Sequence, residues 1–112
     1  MEPRGIVTTA KTAKHFMDEG EFIREYVRTP RLTFGVSELL PGKVGGLDAG
    51  HKEADEVFYC ATGRVLCYFP EEDRYYPLEA GDALLIPQAV GHRLFNVGEE
   101  KAIIIWCCAP HP

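Results

Sequence analysis

Residues 81–96 read GDALLIPQAVGHRLFN, and this stretch decides the fold. A Gly-Asp turn leads into a short apolar run, a proline ends that run, and His92 opens another strand-like segment five residues later. Upstream, His51 and Glu56 lie in a comparable setting, in which a turn precedes a strand-like segment. Two imidazoles and one carboxylate on the strands of a small β domain are the residue types of a metal site.

The rest of the chain repeats this alternation of short apolar runs and turns. Such spacing is typical of an all-β sandwich or barrel, and 112 residues predict a single domain. Residues 7–19 are mixed, and we expect either one helical turn or an extended arm there. The predicted strands are Glu21 to Val27, Leu32 to Leu40, Glu56 to Cys60, Arg64 to Phe69, Tyr75 to Leu78, Ala83 to Pro87, His92 to Val97 and Lys101 to Cys108.

Composition and charge exclude several classes of partner. The net charge of −5 argues against nucleic acid, because proteins that bind the phosphate backbone usually carry a basic stripe. No apolar run approaches the roughly 18 residues that a membrane-spanning helix needs. The polar stretch from Met1 to His15 lacks the apolar core of a secretory signal. We therefore expect a cytoplasmic protein without nucleic-acid or membrane partners, in which His15 and His111 are exposed near the termini.

The four cysteines lie inside apolar, strand-like runs, and no two of them form a CxxC pair. A reducing cytoplasm keeps thiols free, and a buried free cysteine packs as a small hydrophobic residue. We expect this packing role for all four. Because side chains alternate along a strand, at most one of Cys107 and Cys108 reaches the interior.

Residues 81–96 resemble the second motif of the cupin superfamily. That motif is a glycine, five residues, a proline, one residue, a glycine, two residues, a histidine, three residues and an asparagine. Ala89 stands where the family usually has the second glycine. Residues 56–63 are similar to the end of the first cupin motif, a glutamate followed by six residues and a glycine.

The resemblance covers about residues 32–108, and it implies a fold. The expected architecture is a double-stranded β-helix, or jelly-roll barrel, in which residues 1–112 form a single domain. The barrel core would span about residues 32–108, and an N-terminal arm would span about residues 1–20. Because cupins host many activities, the resemblance predicts the fold more sharply than the reaction.

The beginning of the first motif departs from the family pattern. Cupins usually present His-x-His followed by three or four residues and the glutamate, whereas this chain has a single histidine there. In one alignment His51 is the second histidine, Ala49 fills the first position, and four residues precede Glu56. In the other, His51 is the first histidine and Glu53 takes the second position. We favour the first alignment because its spacing needs no deletion.

The resemblance implies that His51, Glu56 and His92 bind a metal. Two histidines and one carboxylate with open positions are associated with non-haem Fe(II), although Mn, Ni, Co or Zn could occupy such a set. Glu53 is a candidate substitute for the missing ligand. Asp48 is expected to point to the opposite face, because it is the immediate neighbour of Ala49.

Strand alternation also predicts the pocket wall. If Glu56 points inward, Phe58 and Cys60 do too, and an inward His92 places Leu94 inside. Several outward positions are then apolar, so we expect a second sheet or another subunit to cover them, and a homodimer would do so. The expected wall consists of Phe34, Phe58, Cys60, Leu94 and Trp106, each of which could instead be ordinary barrel core.

Two functions follow from the resemblance. The first is a small metal-dependent cupin that acts on a small polar metabolite as an oxygenase, isomerase or lyase. The metal would polarise a carbonyl group or activate water. The alternative is a non-catalytic module that binds a sugar or small acid with little or no metal, because Ala49 leaves one ligand position vacant.

Overall fold

The computed structural model describes residues 4–110, which form nine β-strands. No helix among these residues is long and apolar enough to cross a membrane. In chain order the strands are β1 (Lys14–Asp18), β2 (Glu21–Thr29), β3 (Leu32–Leu39), β4 (Asp55–Thr62), β5 (Arg64–Phe69), β6 (Arg74–Glu79), β7 (Ala83–Ile86), β8 (Arg93–Asn96) and β9 (Ala102–Ala109).

The strands form two antiparallel sheets. The larger has the order β1-β2-β3-β9-β4-β7, and the smaller has the order β6-β5-β8. Strand β9 lies between β3 and β4, so the end of the chain joins the early strands to the middle ones. The predicted all-β jelly-roll barrel is confirmed.

The N-terminal region contains a short hydrogen-bonded turn followed by an extended strand. Strand β1 pairs with β2 along its whole length and forms the edge of the larger sheet. Of the two expectations for residues 7–19, the extended one therefore describes residues 14–18. A turn in which the Ala13 N–H donates to the Thr9 carbonyl precedes the strand.

Strand β4 shows how alternation builds the core. Glu56, Phe58 and Cys60 are buried, whereas Val57 and Tyr59 are 41% and 42% exposed, as the period of two predicts. The buried side chains of both sheets meet in one apolar cluster, which includes Leu39, Val65, Cys67, Ile86, Leu94 and Ile104.

Residues 44–48 lie beside β8 and extend the smaller sheet at that edge. Val44 pairs with Phe95, and Asp48 pairs with His92. In the second pair each backbone N–H donates to the other residue's carbonyl at 2.9 Å. This pairing places the loop that contains His51 next to the start of β8.

Candidate metal centre

His92 lies just before β8 and is almost fully buried. Its Nδ1 atom is 3.0 Å from the Val90 carbonyl oxygen, which accepts a hydrogen bond when Nδ1 carries the proton. The edge of the Phe58 ring packs against the imidazole, with 5.3 Å between the ring centres. These contacts hold the ring with Nε2 toward Glu56 and Asp48, and when Nδ1 carries the proton the Nε2 lone pair is available to a metal.

Glu56 extends from β4 toward this nitrogen. Its Oε1 atom is buried without a hydrogen-bond partner among residues 4–110, and it lies 3.1 Å from His92 Nε2. With Nδ1 protonated, a carboxylate oxygen and a nitrogen lone pair face each other. Two such acceptors are stable at this distance only with a cation between them, either a proton or a metal ion. Two ligand atoms that share one ion lie about 3.0 to 3.4 Å apart, so the geometry fits a metal.

His51 approaches the same point from the loop before β4. Its Nε2 atom lies 3.7 Å from Glu56 Oε1 and 3.7 Å from Asp48 Oδ2. A backbone hydrogen bond holds this loop, because the Ala89 N–H donates to the His51 carbonyl at 2.8 Å. The structure therefore places both predicted histidines beside Glu56, although neither group of converging donors contains His51 and His92 together.

The expectation for Asp48 was wrong. Its Oδ2 atom lies 3.6 Å from His92 Nε2 and therefore faces the site. Alternation fails here because the chain does not stay extended between residues 48 and 51: Gly50 has a φ of 91°, and its N–H donates to Asp48 Oδ1. The pairing with His92 decides the direction, since directly opposed residues of an antiparallel pair project to the same face.

Cys108 is a second residue near the site that sequence reasoning missed. It pairs with Glu56 across β4 and β9, and it is buried on the cavity side, as expected for at most one of the two neighbouring thiols. Burial, followed by the negative charge of Glu56, raises the pKa of this thiol above its ordinary value. Donor atoms of His51, Glu56 and Cys108 lie within 4.8 Å of one another, and so do those of Asp48, Glu56 and His92.

These residues line one end of a cavity of about 250 Å³. Phe58, Leu94 and Trp106 form part of its wall, as predicted. Cys60 is fully buried but belongs to the apolar core instead of the cavity lining.

Two other predicted residues lie away from the cavity. Phe34 is 37% exposed on the outer face, so its placement in the wall was wrong; alternation in β3 turns Thr33 and Ser37 inward instead. Glu53 is exposed and is not brought to the ligand set. His15 is exposed on β1, and His111 lies outside the described residues.

The cavity also contains charged groups that the sequence did not single out. Its acidic lining residues are Asp18, Glu21, Glu25, Asp48 and Glu56, and its arginines are Arg28 and Arg93. Asp18, Glu21 and Glu25 come from β1 and β2, the strands that precede the two motifs. Their only sequence signal is that Glu21 and Glu25 occupy positions of the same face at the start of β2.

The described residues thus form an antiparallel β-barrel with imidazole and carboxylate side chains on its inner wall, which are residue types that can bind transition metals. The family model for the cupin domain matches residues 35–108, and the chain belongs to this family. The membership agrees with the position of Glu56 and His92 on the inner faces of β4 and the segment entering β8.

Two curated relatives that match this chain are longer than it. A protein named putative glucose-6-phosphate isomerase 1 from Rhizobium meliloti is 36% identical over 90 residues, which cover 71% of this chain and 42% of the relative. The glucose-6-phosphate isomerase of Pyrococcus abyssi is 34% identical over 84 residues, and these residues make up 44% of that relative's length. The chain thus spans less than half the length of these curated relatives.

A solved structure with the same fold is that of KdgF from Halomonas sp., with a TM-score of 0.79 at 21% identity, over 97% of this chain and 96% of that chain. At this identity the likeness shows a shared fold.

Proposed function

We propose that this protein is a metal-dependent isomerase that interconverts the aldose and ketose forms of a small, uncharged sugar. The observation that carries the proposal is the buried Glu56 Oε1 atom, which lies 3.1 Å from His92 Nε2 in the lining of a cavity. The names of the relatives support an isomerase among the reaction types that the barrel could host.

The proposed ligands are His51, Glu56 and His92, with Asp48 as the fourth. Asp48 would take the role of the histidine that Ala49 replaces, since its Oδ2 atom faces both imidazoles. A metal held by these residues would offer its remaining positions to a hydroxyl and a neighbouring carbonyl oxygen of one sugar. A bound Fe, Mn, Ni, Co or Zn ion would polarise that carbonyl group.

The charge of the cavity favours an uncharged sugar over a sugar phosphate. Five carboxyl groups and two arginines line it. Arg28 donates to Glu25 at 2.9 Å, and Arg93 donates to Glu19 at 3.3 Å, so both arginines already contact carboxylates. A phosphate would add negative charge where carboxylates dominate, whereas sugar hydroxyls can donate hydrogen bonds to carboxylates.

The apolar part of the wall suits the same class of ligand. Phe58, Leu94 and Trp106 present carbon surface in the same cavity as the proposed metal ligands. A sugar has an apolar face formed by its C–H groups, and a cavity with a few polar groups set in apolar walls is the usual form of a small-molecule site.

The direct test is turnover by metal-loaded protein. Untagged protein loaded separately with each of the five metals would be incubated with D-glucose, D-mannose and D-xylose and with their phosphates, and products would be followed by NMR. We expect ketose formation from an uncharged aldose, lost in EDTA and in His92→Ala. Conversion of only the phosphates would contradict the substrate class, and no conversion of any sugar would contradict the isomerase.

We also propose that the protein is a homodimer. The outer face of the larger sheet carries an apolar row in which Val27, Phe34, Cys107, Val57 and Leu85 are neighbours across five strands. Monomers rarely expose a continuous apolar patch of this kind, and a second copy presents the same uncharged surface. The four free thiols support a reducing compartment such as the cytoplasm.

Sedimentation velocity tests the dimer. We expect wild-type protein to sediment as a dimer and Val57→Glu to sediment as a folded monomer. Tyr75→Glu is the matched control, because Tyr75 is 50% exposed on β6 in the other sheet. A wild-type monomer, or equal dissociation of both variants, would contradict the proposed interface.

A further inference from the structure

The cavity contains a carboxyl group that the proposed metal site does not use. Glu21 is the first residue of β2 and lines the same cavity as His51, Glu56 and His92. It is not a member of either group of converging metal-ligand donors. Glu21 therefore shares the cavity with the proposed ligands but lies outside the ligand set.

Hydrogen bonds fix the direction of the Glu21 side chain. Trp106 Nε1 donates to Ser37 Oγ at 3.0 Å, and the fully buried Ser37 hydroxyl donates to Glu21 Oε2. Because an indole N–H can only donate, the Ser37 hydroxyl must accept from Trp106 and direct its own hydrogen to Glu21. This series of hydrogen bonds therefore starts at Trp106 in β9, passes through Ser37 in β3 and ends at one carboxyl oxygen of Glu21.

Glycines make room for this arrangement. A side chain at Gly45 would collide with Glu21 Oε1, and one at Gly35 would collide with the Trp106 ring. The second carboxyl oxygen thus lies against bare backbone, while the first is held by Ser37. The Ser37 hydrogen bond and the close approach of Gly45 restrict the rotamer of Glu21, and the contacts of Trp106 hold Ser37 in turn, which is how a reacting group is preorganised.

The surroundings also adjust the acidity of this group. Burial raises the pKa of Glu21 from 4.5 to about 7, opposed by the Ser37 hydrogen bond and supported by the nearby Asp18 carboxylate. A carboxyl group with a pKa near neutrality can both accept and return a proton, as a general acid–base residue must.

We propose that Glu21 is the proton-transfer residue of this cavity, contacting the bound sugar directly. The inference rests on the proposed isomerase function. The carboxylate takes the proton from C2, the C2–H electron pair forms the C1–C2 double bond, and the carbonyl π pair moves to O1. A proton then passes from O2 to O1. As the C2–O2 double bond forms, the C1–C2 pair takes the proton back from Glu21 at C1, and no co-reactant is consumed.

The first test is exchange of the C2 hydrogen with solvent. Metal-loaded protein would be incubated with D-glucose, D-mannose and D-xylose in D₂O, and loss of the C2 proton signal would be followed by NMR. We expect Glu21→Gln to reduce exchange about 100-fold or more while it retains the metal content of wild type. Glu38→Gln is the matched control, because Glu38 lies on β3 beside Ser37 but pairs with Arg24 and Lys101 outside the cavity. Exchange by Glu21→Gln at the wild-type rate would overturn the inference.

The second test does not depend on turnover. The ¹³C carboxyl resonance of Glu21, assigned by its loss in Glu21→Gln, would be titrated with pH in metal-free protein in EDTA, and with the same sugars in protein containing Zn²⁺. We expect the midpoint to lie near 7 and the resonance to shift when a sugar is added. A midpoint near 4.5 with no response to any sugar would overturn the role of Glu21, even if the protein proved to be an isomerase. Wild-type protein that binds a sugar at Glu21 but does not turn it over would refute the isomerase alone.

Discussion

Replacing Glu21 with glutamine should change how the stability of the protein depends on pH. The pKa of Glu21 is about 7 in the folded protein, against 4.5 for an ordinary glutamate. Between these values the folded chain holds a proton that the unfolded chain has released, so the stability that this group contributes is full below pH 4.5 and falls as pH rises to about 7. A glutamine has no proton to lose, and Glu21→Gln should lack this fall.

The magnitude follows from the two pKa values. A difference of one between folded and unfolded pKa corresponds to about 1.4 kcal/mol, so the rise from 4.5 to about 7 corresponds to about 3 kcal/mol. The unfolding free energy of Glu21→Gln relative to wild type should therefore increase by about 3 kcal/mol between about pH 4.5 and pH 8. This is a large part of the stability of a typical domain.

The measurement is urea unfolding in EDTA, with the fluorescence of Trp106, the single tryptophan, as the signal. Glu38→Gln is an informative control, because Lys101 and Arg24 outweigh burial and lower the pKa of Glu38, so its stabilising effect is lost as pH falls. The two variants should thus differ from wild type with opposite pH dependence. A difference between Glu21→Gln and wild type that stays constant from about pH 4.5 to pH 8 would refute the account of this site.

Three further predictions concern the loops and the second motif. Ala89 has a φ of 64°, so Ala89→Gly should relieve left-handed strain and raise the unfolding free energy by about 0.5 to 1 kcal/mol; a lower melting temperature would contradict this. In Gly50→Ala, the added Cβ would lie 2.7 Å from the Val90 carbonyl oxygen, so the loop that carries His51 should shift. The affinity for Zn²⁺, measured by competition with a chelator, should then fall about tenfold or more. Unchanged affinity would show that this loop does not position His51. Asn96→Ala should cost about 2 to 4 kcal/mol in urea unfolding, because the buried amide donates to the Leu39 and Glu100 carbonyls and accepts from the Gly98 N–H; a cost below about 1 kcal/mol would contradict that role.

The fold could be predicted because its signals are local. Apolar runs, turn residues and the spacing of the two motifs indicated β2 to β9 to within a few residues, and alternation placed Glu56 and Phe58 inward. Strand β1 gave a weaker signal. All five of its side chains are exposed, so no burial pattern distinguishes KHFMD from an extended arm.

The candidate site was predicted only in part, because its other members are brought in by contacts between distant segments. His51, Glu56 and His92 lie in motifs whose spacing is visible. Asp48 faces them only because residues 44–48 pair with β8 and because Gly50 turns the chain. Glu21 enters the cavity from a strand that carries no motif, and its hydrogen bond depends on Ser37, 16 residues away.

Phe34 was predicted to line the cavity, but it lies on the outer face of β3. As a large aromatic residue beside the barrel core, it was a reasonable wall residue, but the register of β3 with β9 turns it outward opposite Cys107. The inward position across from Trp106 belongs to Gly35, whose lack of a side chain admits the indole ring. Residue size alone could not distinguish these two faces.

Metal stoichiometry tests the central claim most directly. Untagged wild-type protein and His92→Ala would be dialysed against each of Fe, Mn, Ni, Co and Zn, and bound metal would be measured by mass spectrometry. We predict roughly one ion per chain for wild type with at least one of these metals and a loss of that ion in His92→Ala, because Glu56 Oε1 and His92 Nε2 lie 3.1 Å apart. Less than about a tenth of an equivalent of every metal in wild type, with no change in His92→Ala, would contradict the claim.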